Sequence, residues 1–431
     1  MKFKLLKDKN FSLLMFGKIT SLIGSNMQSF ALSLFVLSTT GSATKFASIL
    51  AVTLIPGLIL SPISGVIVDW FYRKNILIFL DLASGIVVSI FAIIYFITGE
   101  MSLINIYILV ILLSLISTLD NPTLQTIIPT ITKKEELVEA NALNSLLMAI
   151  GNVISPAIAA FIYGSFGLEA VFIVNAISFY ISAFSEVFLV IPRNIKSKGK
   201  LSLNKFANEF KDGIKFILKK KDIINIVSLA VILNFAFGSF TIGSAFISKI
   251  ILKVSDFQYG VIDSFGVVGM ILSSVIVGWF SKRHSLGKNL YLNLMIASIL
   301  LSGYAIVALK PLVNIEGSIF YLYLLMLIIT LLLCIFIGIA NTCLSAGLQS
   351  IVPLEFLGRV STVISTGSMI AMPLSSMVYG YLFDKISVSS IFLISSGIMI
   401  ITMLLFKKSL LQINLEEEVK IKEVDADIEL I

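Results

Sequence analysis

The sequence predicts an all-α integral membrane protein with twelve transmembrane helices in two pseudo-symmetric six-helix bundles. Three observations carry this. Of 431 residues, 57% are hydrophobic and only 13% charged, with a mean hydropathy of +1.01; soluble domains carry about 25% charged residues. The apolar residues fall into runs of bilayer length, which takes about 20 residues. The chain also echoes itself half a length later: Leu124-Gln125-Thr126-Ile127-Ile128-Pro129 returns as Leu348-Gln349-Ser350-Ile351-Val352-Pro353. Upstream of each copy, Ser117, Asn121 and Gln125 match Asn341, Ser345 and Gln349, spaced to share a helix face. An echo at the same step of each half points to a duplicated bundle.

The twelve runs are approximately 11–38, 46–68, 76–98, 102–128, 137–163, 168–191, 223–252, 258–281, 290–309, 319–346, 357–383 and 387–406. They imply an N-terminal bundle over 1–191, a cytoplasmic linker over 192–222, a C-terminal bundle over 223–408 and a cytoplasmic tail over 409–431. The net charge of +7 does not point to nucleic acid, because the cations cluster on alternate loops. Lys2, Lys4, Lys7 and Lys9 precede the first span, Arg73 and Lys74 follow the second, and Lys133 and Lys134 follow the fourth. More crowd 193–221, Lys282, Arg283 and Lys288 follow the eighth span, and Lys407 and Lys408 follow the last. This positive-inside bias places both termini in the cytoplasm of a cell membrane. The first run contains Lys18 and lacks a small-residue cleavage site, so it reads as a span and not a signal peptide.

The first span carries Lys18, Ser21, Ser25 and Gln28 at helical spacing. Such a stripe faces a bundle interior or a cavity, because lipid penalises it. Lys18 either snorkels back to the interface or stands in the cavity as a cation that attracts an acidic group or pairs with a carboxylate. At the mouth of the second span lie Gly65, Asp69, Arg73 and Lys74; Gly65 permits close helix packing. Asp120 approaches the same depth from the fourth span, so Asp69, Arg73 and Asp120 are expected to form one charge cluster. The fifth span contains Gly151 and Ser155-Pro156, and the eleventh Met372-Pro373 and Gly380, a weak echo of bent helices. Glu186, in the sixth span, is close enough to the inner end to snorkel and is also a possible proton site. In the linker, Leu203, Phe206, Phe210, Ile214, Ile217 and Leu218 follow helical spacing, the mark of an amphipathic helix on the inner membrane surface. Asn234 gives the seventh span a thinner polar face. Asp263, near the outer end of the eighth span, is either interfacial or a second possible proton site. Residues 278–288 take the place of the Gly65 loop without its aspartate. After Lys408 an acidic, mobile tail is expected. Cys334 and Cys343, nine residues apart on one helix, are too distant to bridge.

Several chemistries are excluded. One histidine, His284, rules out bis-histidine haem, an HExxH zinc site and a histidine triad. There is no GxxxxGK[ST] loop, arginine ladder or TVGYG filter. Nothing concentrates catalytic side chains, so an enzyme is not expected, nor are cofactors or metals. A duplicated bundle with polar stripes suits a secondary transporter; the rival class is a receptor or membrane scaffold that moves nothing.

Gly65, Asp69, Arg73 and Lys74 also match the loop between the second and third helices of the major facilitator superfamily, GxxxD-(R/K)-x-G-R-(R/K), with Trp70 and Tyr72 as departures. The chain resembles that family over nearly its whole length. It is similar to the macrolide-efflux-type branch at Asp120-Asn121-Pro122-Thr123-Leu124-Gln125, Ala140-Asn141-Ala142-Leu143-Asn144-Ser145 and Gly358-Arg359-Val360-Ser361. Lys18 stands where that branch usually has glutamine, and Leu124 where it usually has arginine. The resemblance implies a central cavity lined by helices one, four, seven and ten. It also implies alternating access, with Asp69, Arg73 and Asp120 locking the cytoplasmic side. The expected function is export of amphiphilic small molecules such as macrolide-like drugs, driven by the proton gradient. A siderophore or lipid exporter is the alternative within the fold, and a monomer is expected in either case.

Overall fold

The computed structural model describes residues 5–133, 136–192, 211, 214–218, 220–281 and 285–428; Gly65 and Asp69 are described in backbone only. Most of the expected linker helix and residues 282–284 of the second-half loop lie outside the described residues.

Short polar residues and glycines separate the helices. Asp8 caps α1 (Lys9–Thr40) by accepting from the Phe11 N–H at 2.9 Å. Ser42 and Ser102 cap α2 (Ala43–Trp70) and α4 (Leu103–Ser117) in the same way. Between these two lies α3 (Arg73–Thr98). Span four is completed by α5 (Asp120–Ile131). The next helix, α6 (Leu137–Val187), holds two spans, divided by a sharp bend at Gly167 whose φ of +77° is a backbone state that glycine adopts without strain. The second half contains α7 (Lys221–Phe246), extended by a π-helical turn at Ile247–Ile251, then α8 (Asp256–Ser281) and α9 (Leu286–Val307). It ends with α10 (Ser318–Ile351), α11 (Leu354–Lys385) and α12 (Val388–Ile428). Ten helices among the described residues have span length and apolarity. Counting both limbs of α6, and α11 with its 32 residues, gives the twelve crossings.

The chain divides into two compact units: Met1–Leu203 with Val254–Ser264, and Asn204–Lys253 with Phe265–Ile431. In the first unit, α1 lies directly on the second limb of α6. A Cβ at Gly17 would stand 2.5 Å from Ser185 Oγ, and one at Gly24 would stand 2.9 Å from Ser178 Cβ. Small residues on both faces let the helices approach, which is how packing is gained where lipid removes the hydrophobic drive. Around this seam Met27, Ala31, Val171 and Phe172 are buried together. In the second unit Tyr304 donates to or accepts from Thr330 Oγ1 at 2.5 Å, and its ring stacks on Phe392 at 5.1 Å.

Two features extend the sequence reading. Beyond Lys408, α12 continues to Ile428. The sequence spaces Glu416 and Lys420, and Glu418 and Lys422, at i,i+4, which favours helix propagation in water. The linker's described end packs within the second unit. Ile217 is buried with Ile223, Val352 and Val360, and Phe216 stacks on Phe356 at 4.3 Å. Both cysteines are buried and neither forms a disulfide.

Overpacking at the α1–α6 seam generates a prediction. Gly24→Val should cost about 2 kcal/mol or more, whereas Gly397→Ala, where an added Cβ meets nothing within 4 Å, should be near neutral. Thermal unfolding of both variants in detergent measures this; an unshifted midpoint for Gly24→Val would contradict the seam.

Candidate functional site

The site starts from a break in span four. Pro122 lacks an N–H, and its ring crowds the carbonyl of Thr118. The helix therefore stops at Ser117 and restarts at Asp120, while the Thr118 hydroxyl donates to Ser114 O at 2.8 Å. Asp120 falls in the first turn of α5, where the helix N-terminus favours a carboxylate. The residue that corresponds to Pro122 in the second half is Ala346, and α10 runs through that region unbroken.

Asp120 forms an ion pair with Lys18 of α1, the two side chains being 24% and 11% exposed. Asp120 thus takes the desolvated cation across the bundle, Arg73 is half-buried at the start of α3, and the Asp69 side chain of the expected cluster lies outside the described residues. The snorkelling reading of Lys18 is set aside. Asp81 of α3 is buried at 6% exposure and lies within electrostatic reach of Asp120 and Lys18. Glu186 lies within reach of the same three charges. Its exposure is 2%, and its Oε2 has no hydrogen-bond partner among the described residues, so it does not extend to the interface. Asp81 is absent from the residues singled out in the sequence. The available signal was an aspartate between Leu80 and Leu82, inside an apolar run, where ionisable groups are costly and mark function by default.

Lys18, Asp81 and Asp120 edge a cavity of about 320 Å³ in the first unit. Lys18, Ser21, Ser25 and Gln28 line it from α1, and Ser117, Asp120 and Asn121 from span four, with Asp81 and Ser84 from α3. Gln28 also accepts from Asn175 Nδ2 at 2.7 Å, which fixes its amide against the wall. The second unit holds a cavity of about 220 Å³, lined by Asn234 and Asn341 among Leu233, Phe237, Met270, Met372 and Met399. Gln125, Ser345 and Gln349 are exposed and outside both linings, and Asp263 is exposed on α8. Lys74 Nζ donates to Val187 O at 2.6 Å, and the Tyr72 hydroxyl to Ile191 O at 2.6 Å. The loop after α2 is thereby tied to the end of α6, with a cation where the helix dipole is negative. Among the described residues no group of three or more His, Cys, Asp or Glu is placed to hold a metal ion. The first cavity can thus stabilise a charged or hydrogen-bonding ligand, and the second a lipophilic one.

Removing one partner of the ion pair leaves an uncompensated buried charge. Lys18→Met should destabilise the protein by roughly 3 kcal/mol, and adding Asp120→Asn should recover part of that loss. Thermal unfolding of the single and double variants checks it; strict additivity would deny the pair.

The sequence profile of the Major Facilitator Superfamily matches residues 14–375. An uncharacterized MFS-type transporter of Bacillus subtilis, YkuC, is 25% identical over 413 residues, covering 93% of this chain and 91% of that protein. Macrolide efflux protein A of Streptococcus pyogenes is 23% identical over 384 residues, covering 89% and 92%. Among solved structures, a point mutant of the nucleoside transporter NupG superposes with a TM-score of 0.73 at 12% identity, over 93% of this chain and 99% of that one. Twelve apolar crossings in two halves, together with a profile that spans most of the sequence, establish that the chain belongs to the Major Facilitator Superfamily and is a multi-pass membrane transporter, not an enzyme.

Proposed function

We propose that this transporter exports amphiphilic small molecules, macrolide-like drugs among them, from a bacterial cell by alternating access coupled to inward proton flow. The observation that carries the reading is the second unit's cavity, whose wall of Met, Leu and Phe is broken by the amides of Asn234 and Asn341. Such a lining suits a bulky lipophilic ligand with a few oriented hydrogen-bonding groups and suits a sugar poorly. The first unit's cavity adds carboxylates that attract an amine. Similarity to macrolide efflux protein A along nearly the whole chain supports the same substrate class. The protein works as a monomer without a cofactor, in the plasma membrane with both termini cytoplasmic, as the cation-rich loops favour. Gly65, Asp69, Arg73 and Lys74 serve as the cytoplasmic gate, with Asp120 at its inner edge.

Two measurements test this. In cells with and without the protein, accumulation of a labelled macrolide should fall when the protein is present and recover when a protonophore collapses the gradient. Efflux that persists under the protonophore would sink the coupling, and no protein-dependent efflux of any macrolide would sink the substrate class. For the gate, Asp69→Asn should slow transport by about tenfold while ligand binding to purified protein is retained; an unchanged rate would remove Asp69 from the gate.

A further inference from the structure

Asp81 and Glu186 have no place in the gate, and neither belongs to the polar stripes of spans one and four. Their placement is nevertheless specific. Asp81 is buried on α3 and lines the cavity; Glu186 is more deeply buried on the second limb of α6 and does not appear in that lining. Ser182, one turn before Glu186 and fully buried, lies within reach of the Asp81 carboxyl. The charged groups that face the pair from the packed helices are Lys18 of α1 and Asp120 of α5. Three carboxylates therefore share one cation, and Lys18 is already engaged by Asp120. Glu186 Oε2 has no hydrogen-bond partner among the described residues. A buried, unpartnered carboxylate oxygen is costly in an apolar bundle unless a cation occupies it. Among the described residues no three acids are placed to hold a metal ion, and a proton is a cation that a single buried carboxylate oxygen can hold.

We infer that Asp81 and Glu186 hold between them the proton exchanged in each transport cycle, Asp81 being its port to the cavity and Glu186 its store. This rests on the antiport reading above and names its carrier. Loading breaks an O–H bond of hydronium in the cavity, leaving water, and forms one on Asp81; the Asp81 O–H bond then breaks as the proton bonds to Glu186. Release breaks the O–H bond on Glu186 and returns the proton through Asp81 to water. No electrons change hands.

Two arms test the inference on the full-length protein. The first needs no substrate: infrared difference spectra across a pH step should show the C=O stretch of a titrating protonated carboxyl. That band should be lost in Glu186→Gln and shifted in Asp81→Asn. An unchanged band in both variants would overturn the proposal. The second arm uses liposomes and a radiolabelled macrolide, comparing pH-gradient-driven accumulation with equilibrium exchange of labelled for unlabelled macrolide. Glu186→Gln should lower driven accumulation by about tenfold or more and leave exchange within about twofold of wild type; Asp81→Glu should keep driven accumulation. Loss of both activities in Glu186→Gln, or undiminished driven accumulation, would overturn the assignment. Wild-type protein that exchanges macrolide without responding to the pH gradient would refute the antiport reading itself. The infrared arm then decides on its own whether the pair binds a proton.

Discussion

A lysine within a bundle whose outer solvent is hydrocarbon needs a carboxylate beside it, and much of the first unit is arranged to supply one. Lys18 lies about two turns into α1, too deep for its charge to be left to water. Its partner Asp120 is presented from the broken middle of span four, and the break follows from the missing N–H and bulky ring of Pro122. The glycine face of α1 brings that helix against the second limb of α6, and with it Glu186. A single desolvated cation thus organises side chains from four helices. The charged cavity is a consequence of that arrangement.

The two halves share a repeated pattern but not the same chemistry. Asn341 occupies the position equivalent to Ser117, and Ala346 the position equivalent to Pro122. With alanine there, α10 remains continuous, and no acid is turned towards the interior at that step. The second unit's cavity is correspondingly apolar, its polarity limited to Asn234, Thr241 and Asn341 amid methionines and Phe237. Duplication preserved the helical frame, while one proline and a handful of ionisable residues differentiated the two cavities. The proposed function uses this division: charge in one half, lipophilic contact in the other.

Tyr72 and Lys74 show how a departure from a family pattern acquires a physical meaning. Tyr72 stands where the family's loop has glycine, and its hydroxyl is bound to Ile191 O while Lys74 is bound to Val187 O. Asn10 accepts from the Val190 N–H at 3.0 Å, closing the same helix end from the other side. The backbone groups left without helical partners where α6 ends are satisfied by these side chains. The loop is therefore anchored to the end of α6.

Hydropathy and helix punctuation determined the spans, since a backbone in lipid must satisfy its own hydrogen bonds and has little choice but helix. The caps at Asp8, Ser42 and Ser102 were likewise local, and the polar stripe of α1 already marked a cavity wall. Partners were not legible. Asp120 is one of several charges near its depth, and only the packed bundle shows it paired with Lys18. Asp81 and Glu186 lie 105 positions apart on different helices, and nothing in the order of residues places them together. Periodicity fixes which face of a helix is polar, but the neighbour that face meets depends on helix rotation and interhelical contact. Those are set by the glycine and serine packing between α1 and α6, which exists only once the chain has folded.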